Sequence, residues 1–411
     1  MMARQQRATV KLHDDVVGEL RFREDSQAVA FIPARRLAEV DAPVLGQQFI
    51  DEPRKIRASH LVAPTWFSNL LPEGPLRSLA CRQAGVAEDH EFALLVALGQ
   101  ELPGAVSIAA TGVDASEPGL DWPNAEADAT AKHAVIPSLS GMQLKLSGSW
   151  KDKRLTVAGV GEFGDSIIKL PPSDLLDLAH NEAAMMDWAR ESGIEVPPTA
   201  LARIDEIDGL PANFRNSGVT HAYVIKRFDR RSDGGTVHVE DFAQVLDVRP
   251  ANKYATTFQT IANVALRVAG NSEFEKFILR LIFCAACGNG DGHLKNWCLI
   301  YRDGIRPSLA PAYDYVSTVI LPGFSDKTNI SLLGEKAWAR FDRRLFNGLA
   351  RKLRIDEAVL WRHVTASGDR IWDAWDRVHG TLSVSPSVKG LLSERRNQMP
   401  IFRSTPRIAI P

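Results

Sequence analysis

Apolar and polar residues alternate in three short runs near the start of the chain, Ala8–Leu12, Val16–Phe22 and Ala28–Pro33. A period of two points one face of a strand at a core, so the runs predict a small antiparallel sheet. Helices are expected over Pro75–Gln83 and His90–Leu98. Residues 111–132 carry Gly, Asp, Ser, Glu, Pro and Ala with little apolar periodicity and read as a linker or exposed loop. Alternation returns over Leu144–Trp150, and Ile167 and Ile168 mark another strand that ends at Leu170-Pro-Pro. A helix is expected from Asp174 to Ser192, with Ser173 as its cap and Gly193 as its stop. Its spacing puts Ala179, Glu182, Met186 and Ala189 on one face. A strand follows at Ala222–Ile225. Beyond about residue 255 the pattern is mostly helical, with an apolar run, Phe277–Cys287, and a short strand, Trp297–Ile300. The fold class is therefore α+β. The expected divisions are an N-terminal β-rich subdomain over 1–110, the linker over 111–132, a strand-rich region over 133–250 and a helical lobe over 251–411.

A chain of 411 residues is long enough for two or three domains. A net charge of -1 argues against a protein built to coat nucleic acid. The four cysteines, 81, 284, 287 and 298, are too few for a disulfide framework at this length and suit a reduced, cytoplasmic protein. Cys284 and Cys287 lie one helical turn apart in an apolar run, where core packing explains them better than metal or redox chemistry. The first residues, Met-Met-Ala-Arg-Gln-Gln-Arg, hold no signal-peptide apolar region, and no window approaches a membrane span.

The candidate chemistry centres on Asn289-Gly-Asp-Gly-His-Leu-Lys-Asn296, followed by Asp314. An Asp, an Asn five positions on and a later Asp make the acid layout of a kinase. In that layout Asp291 is the base that takes the proton of the attacking hydroxyl, and Asn296 and Asp314 hold the metal ions on the nucleotide phosphates. An Asn/Gly/Asp/Gly cluster also reads as an ordinary turn. A metal-hydrolase reading of Asp291 and His293 would need further ligands at sensible spacing, and none lie nearby.

Other segments suit a nucleotide. Pro137–Leu146 is small and Gly-containing, so its backbone N–H groups can approach a phosphate, or it is a plain hairpin turn. Gly159-Val-Gly-Glu-Phe-Gly164 spells a dinucleotide fingerprint, but a strand follows where a helix is required, so a hairpin connection is expected. Lys169 on its apolar strand is placed to reach phosphates and to pair with Glu182, which otherwise sits solvated at the edge of its helix face. Lys226-Arg-Phe228 lies where a kinase chain passes the adenine, though its charged residues could equally form surface pairs.

Taken in order, these pieces resemble the HipA family of serine/threonine kinase toxins. The resemblance runs through Asn69–Gly74, Leu98–Val106, Ser138–Lys145, Ile167–Pro171, Arg227–Arg230, Glu240–Phe242, Asn289–Asn296 and Ala310–Asp314. It implies a two-lobed, protein-kinase-like fold with an N-terminal subdomain packed on it. It also implies ATP and Mg²⁺ as cofactors, and a protein target that for some members is an aminoacyl-tRNA synthetase. The implied partners are a small helix-turn-helix antitoxin and, through it, operator DNA. By resemblance Ser140, Gly141, Met142, Gln143, Lys145, Lys169, Lys226, Arg227, Phe228, His293 and Lys295 bind the nucleotide, Asn296 and Asp314 bind metal, and Ser138 is autophosphorylated, with Ser140 the alternative acceptor. A kinase of the same fold acting on a lipid or small molecule, and a non-catalytic co-repressor, remain rival readings.

Overall fold

A computed structural model of the chain describes residues 4–115, 143–151, 154–158, 164–210 and 218–403. The N-terminal alternating runs form β1 (Arg4–Leu12), β2 (Asp15–Arg23) and β3 (Ala28–Pro33). With β4 (Arg57–His60) and β5 (Val106–Ala115) they make an antiparallel sheet of order β4-β3-β2-β1-β5. Residues 111–115, expected to be loop, are strand. Their backbone pairs with β1 from Arg7 to Arg4 past an irregularity at Arg7/Ala8, and a ladder needs no apolar side chains to continue. Helices Gly74–Ala84 and Glu91–Leu98 contribute to the core of this domain, in which Trp66, Phe67, Phe31 and Phe49 are buried.

The second sheet contains β6 (Leu144–Lys151), β7 (Arg154–Val157), β8 (Ser166–Leu170), β9 (Thr199–Arg203), β10 (Ile207–Asp208) and β11 (His221–Lys226) in the order β10-β7-β6-β8-β11-β9. The connection between β7 and β8 is not a hairpin, contrary to expectation. β6 pairs with β7 along one edge and with β8 along the other, so the chain passes from one side of β6 to the other. Of the fingerprint-like segment only Gly164 lies within the described residues.

The helix expected from Asp174 begins later, at Leu178, and ends at Glu191. Pro172–Leu178 makes two successive turns instead, closed by Leu175 N→Pro172 O and Leu178 N→Leu175 O. Gly193, at φ +74°, follows its end in the left-handed region that glycine tolerates. The Leu178–Glu191 helix packs on β9 and β11 and is anchored below. Trp188 packs edge-on against Phe283 and tilted against Trp375, with centroids 5.1 and 4.5 Å away, and its Nε1 donates to Ile371 O at 3.0 Å.

The remaining lobe is built from helices Phe258–Val264, Asn271–Cys287, Arg343–Leu353, Glu357–Val378 and Pro386–Gln398. A three-stranded sheet of β12 (His238–Asp241), β13 (Cys298–Tyr301) and β14 (Ser308–Leu309) faces the N-terminal domain. Cys284 and Cys287 are buried on the Asn271–Cys287 helix, and all four cysteines are free thiols.

Candidate active site

The Asn271–Cys287 helix stops at Gly288, whose φ of +69° turns the chain into the acid loop. The loop is held by bonds between side chains and backbone, the chemistry that Asn and Asp bring to turns. Asn289 Oδ1 accepts from Asp291 N at 3.1 Å, and its Nδ2 donates to Asp314 O at 3.3 Å. Asn296 Nδ2 donates to Asp291 O at 3.0 Å. Thr318 Oγ1 accepts from Gly290 N at 2.8 Å and donates to Gly288 O at 3.0 Å. A Cβ on Gly290 would stand 2.3 Å from the carbonyl oxygen of Lys327, so a side chain there would push backbone against backbone. Asp291 is buried, and its Oδ1 accepts from Tyr254 Oη at 2.7 Å and Asn329 Nδ2 at 3.2 Å.

Asp314 stands opposite, at φ +65°, a conformation that Asp tolerates better than most residues. Lys169 Nζ lies 2.5 Å from Asp314 Oδ1 and 2.5 Å from Glu182 Oε1, and Lys145 Nζ lies 4.0 Å from Asp314 Oδ2. The strand register explains the cluster, because Lys145 on β6 and Lys169 on β8 are direct cross-strand partners. Burial works against the charge on Asp314, yet Lys145 and Lys169 hold its carboxyl well below the usual range. Burial also works against Lys169, but Asp314 and Glu182 keep its ammonium above the ordinary lysine value. Glu182 is fully buried, and burial, aided by the nearby Asp314 charge, pushes it up to about 7 against the pull of Lys169. Its Oε2 has no partner among the described residues. Of the two carboxylates sharing Lys169, Asp314 is thus the ionised partner and Glu182 the one driven toward neutrality. Burial pushes Lys145 down, with Asp314 opposing.

A cleft of about 310 Å³ opens between the lobes, lined by Gln143, Lys145, Leu178, Asn289, Asp291, Asp314 and Val316. Besides Glu182 Oε2, Gln143 Nε2 and both ring nitrogens of His293 lack hydrogen-bond partners among the described residues. His293 is buried edge-on against Tyr254, with centroids 5.1 Å apart, and burial keeps its ring far below the ordinary histidine value, hence neutral. A buried donor without a partner costs about 1–3 kcal/mol, and Gln143 Nε2, on the cleft wall, is one that an anionic ligand there would satisfy.

The other expected residues are placed less uniformly. Phe228 packs near Tyr313, with centroids 5.7 Å apart, and Lys226 ends β11 beside it. Arg227 turns away: its guanidinium engages Glu101 at 2.8 Å and Asp229 at 2.8 Å. Lys295 also turns away, toward Asn69 and Asp241. Ser138, Ser140, Gly141 and Met142 lie outside the described residues. Tyr254, Asn329 and Thr318 were not singled out in the sequence. They come from segments without a motif, and only the folded chain brings them to the acid loop.

Among the described residues no group of three or more His, Cys, Asp or Glu is arranged to hold a metal. A carboxylate and a carboxamide, Asp314 and Asn296, are the oxygen donors that Mg²⁺ takes when substrate phosphates complete its shell. The two ammonium groups now on Asp314 mark a position that attracts positive charge.

A strand-rich lobe and a helical lobe enclosing a cleft with a buried lysine–glutamate pair and facing acids define a two-lobed, kinase-like α+β fold. The HipA N-terminal domain family matches residues 8–109, and the HipA-like C-terminal domain family matches residues 137–375. The chain belongs to the HipA family. It is 34% identical over 404 residues to the candidate kinase Y4dM of Sinorhizobium fredii, covering 96% of this chain and 97% of that one. It is 23% identical over 292 residues to the serine/threonine-protein kinase toxin HipA of Shewanella oneidensis, covering 64% and 65% of the two chains. Its fold matches a solved complex of HipA, HipB and operator DNA from a Shewanella oneidensis toxin–antitoxin system, with a TM-score of 0.68, 20% identity and 96% of each chain covered.

Proposed function

We propose that this chain is an ATP- and Mg²⁺-dependent protein serine/threonine kinase that acts as the toxin of a toxin–antitoxin module. The observation that carries the reading is the convergence of Asp291, Asp314 and Lys145 on one cleft, with Lys169 and Glu182 behind it. Asp291 would accept the proton of the attacking hydroxyl. Asp314 and Asn296 would hold Mg²⁺, which supplies charge neutralisation at the phosphates when bound. Lys169 and Lys145 would contact phosphates from the strand side, and His293 and Gln143 would donate to them. Lys226 and Phe228 would border the adenine, with Arg227 fixing the connection from behind. Ser140, Gly141 and Met142 belong to the segment assigned to the phosphates, and Ser138 is the assigned site of autophosphorylation.

The proposed target is a protein serine, with an aminoacyl-tRNA synthetase as candidate. The proposed partners are a helix-turn-helix antitoxin and, through it, operator DNA, in the cytoplasm. Among the described residues no helix is long and apolar enough to cross a membrane. The test is phosphoproteomics after brief induction, with Asp291→Ala as control, beside purified-protein assays. Asp291→Ala and Asp314→Ala should each cut phosphoryl transfer on the order of 100-fold or more, and Asp314→Ala should also weaken Mg²⁺-dependent nucleotide binding. Near-normal transfer in either variant would overturn the assignment.

A further inference from the structure

Lys295 sits inside the acid loop, one position before Asn296, but its ammonium does not face the cleft. Nζ donates to Asn69 O at 2.8 Å, pairs with Asp241 Oδ2 at 2.9 Å and lies 3.3 Å from Asn69 Oδ1. An ammonium has three donors, and these contacts account for them. Glu73 adds its carboxylate at 3.8 Å. Asn69 and Glu73 belong to the N-terminal domain, on the segment that leads into the Gly74–Ala84 helix.

The same segment reaches the loop by a second route. Glu73 Oε2 pairs with Lys253 Nζ at 2.7 Å, and the Lys253 carbonyl accepts from Leu294 N at 3.1 Å. The next residue, Tyr254, donates to Asp291. The backbone of Lys295 is held too, since its carbonyl accepts from Tyr313 Oη at 2.6 Å, one residue before Asp314. The contacts are largely dry: the Lys295 side chain is 17% exposed and that of Asp241 11%. Buried charges are costly unless every partner is in place, so such a cluster specifies one arrangement rather than adding much stability. The N-terminal domain thereby holds the loop at Leu294 and Lys295, just after the proposed base, and reaches Asp291 itself through Tyr254.

We propose that Lys295 is a positioning residue, through which Asn69 and Glu73 of the N-terminal domain set the catalytic loop, and not a ligand of the nucleotide. The proposal rests on the kinase reading. It makes the N-terminal domain a working part of the active site. A partner that shifted this domain would change turnover without touching the cleft.

The test uses the full-length chain carrying Lys295→Met, Glu73→Gln or Asn69→Ala, with Lys295→Arg as the conservative control. ATP·Mg²⁺ turnover, KM for ATP, nucleotide affinity by direct binding, and urea stability are measured for each. Lys295→Met and Glu73→Gln should lose turnover by about 10- to 100-fold, the cost of a catalytic group displaced by an ångström or less, and Asn69→Ala, which keeps the backbone carbonyl that Lys295 holds, should lose less. Nucleotide affinity should stay within about twofold. Lys295→Arg should recover part of the turnover, and the Lys295→Met/Glu73→Gln double variant should fall little below the worse single one. Three results would overturn the proposal. One is a tenfold loss of ATP affinity in Lys295→Met with normal turnover in Glu73→Gln and Asn69→Ala, which makes Lys295 a phosphate ligand. Another is wild-type turnover throughout, which makes the cluster purely structural. The third is a rise in turnover, which makes the contact a restraint. A wild-type chain that consumes no ATP would sink the kinase reading instead. In that case a urea double-mutant cycle between Lys295 and Glu73 still decides the coupling: a zero coupling refutes the grip, and a clear one supports it.

Discussion

Asp291, the proposed base, shows how little of a site residue's setting is carried by its own motif. Its place in the loop follows from Asn289, Gly290 and Asn296, all visible in the sequence. The two donors on its Oδ1, Tyr254 and Asn329, come from 37 and 38 residues away along the chain, from stretches with no pattern to mark them. A donor of this kind favours the carboxylate form and fixes the side chain's rotation. Tyr254→Phe removes only the hydroxyl. Its loss should lower turnover by roughly tenfold, the value of one hydrogen bond to a charged group at about 1.5 kcal/mol, and move the acidic limb of the rate–pH profile to higher pH. Fold and nucleotide affinity should be preserved, as read by melting temperature and direct binding. An unchanged profile with unchanged turnover would mean that Tyr254 only packs against His293.

At the scale of elements, the strands and helices were legible wherever an apolar period ran long enough: Leu144–Trp150 lies within the strand Leu144–Lys151, and the run Phe277–Cys287 within the helix Asn271–Cys287. Pairing was less legible. Nothing local says that β6 stands between β7 and β8, because edge choice is settled by long-range contacts. The outcome matters for the site, since it sets Lys145 beside Lys169. The Leu178–Glu191 helix then delivers Glu182, as its apolar face suggested. Lys169 pairs with both the part-buried Asp314 and the fully buried Glu182, and removing one partner from a buried ion pair costs about 3–5 kcal/mol. Lys169→Ala should therefore be strongly destabilised in urea. Adding Asp314→Asn should restore part of the loss, because only the more distant Lys145, at 4.0 Å, would remain to balance that carboxylate. A double variant no more stable than Lys169→Ala would contradict this charge accounting.

Across the whole molecule, the family resemblance was legible because its pieces occur in order, but the contacts between domains were not, since each joins residues far apart in sequence. Glu240 is the clearest case. It is fully buried on β12, with no cation in contact among the described residues. Its carboxylate accepts from Gln47 N at 3.0 Å, from Trp66 Nε1 at 3.3 Å and from Tyr301 Oη, tying the N-terminal domain to the three-stranded sheet. A Cβ on Gly46 would stand 2.7 Å from this carboxylate, so the domains approach there as closely as glycine allows. Burial pushes Glu240 from 4.5 up to about 7, despite those donors. A carboxyl whose folded pKa is raised holds its proton longer in the folded state. Its contribution to stability is therefore complete below about pH 4.5 and is lost as pH rises through about 7. At about 1.4 kcal/mol per pKa unit, the loss by pH 8 is roughly 3 kcal/mol. Glu182 titrates in the same window, and His238, held down at about 4 by burial, acts in the opposite sense below pH 6.5. The difference between wild type and Glu240→Gln isolates the one group. The amide cannot satisfy every donor, so the variant should be less stable at pH 5. Its melting temperature should then change less between pH 5 and 8 than that of the wild type, and the two curves should converge at the alkaline end. Parallel curves across that range would show that Glu240 stays ionised in the interface, and that the two domains are joined there by a buried charge.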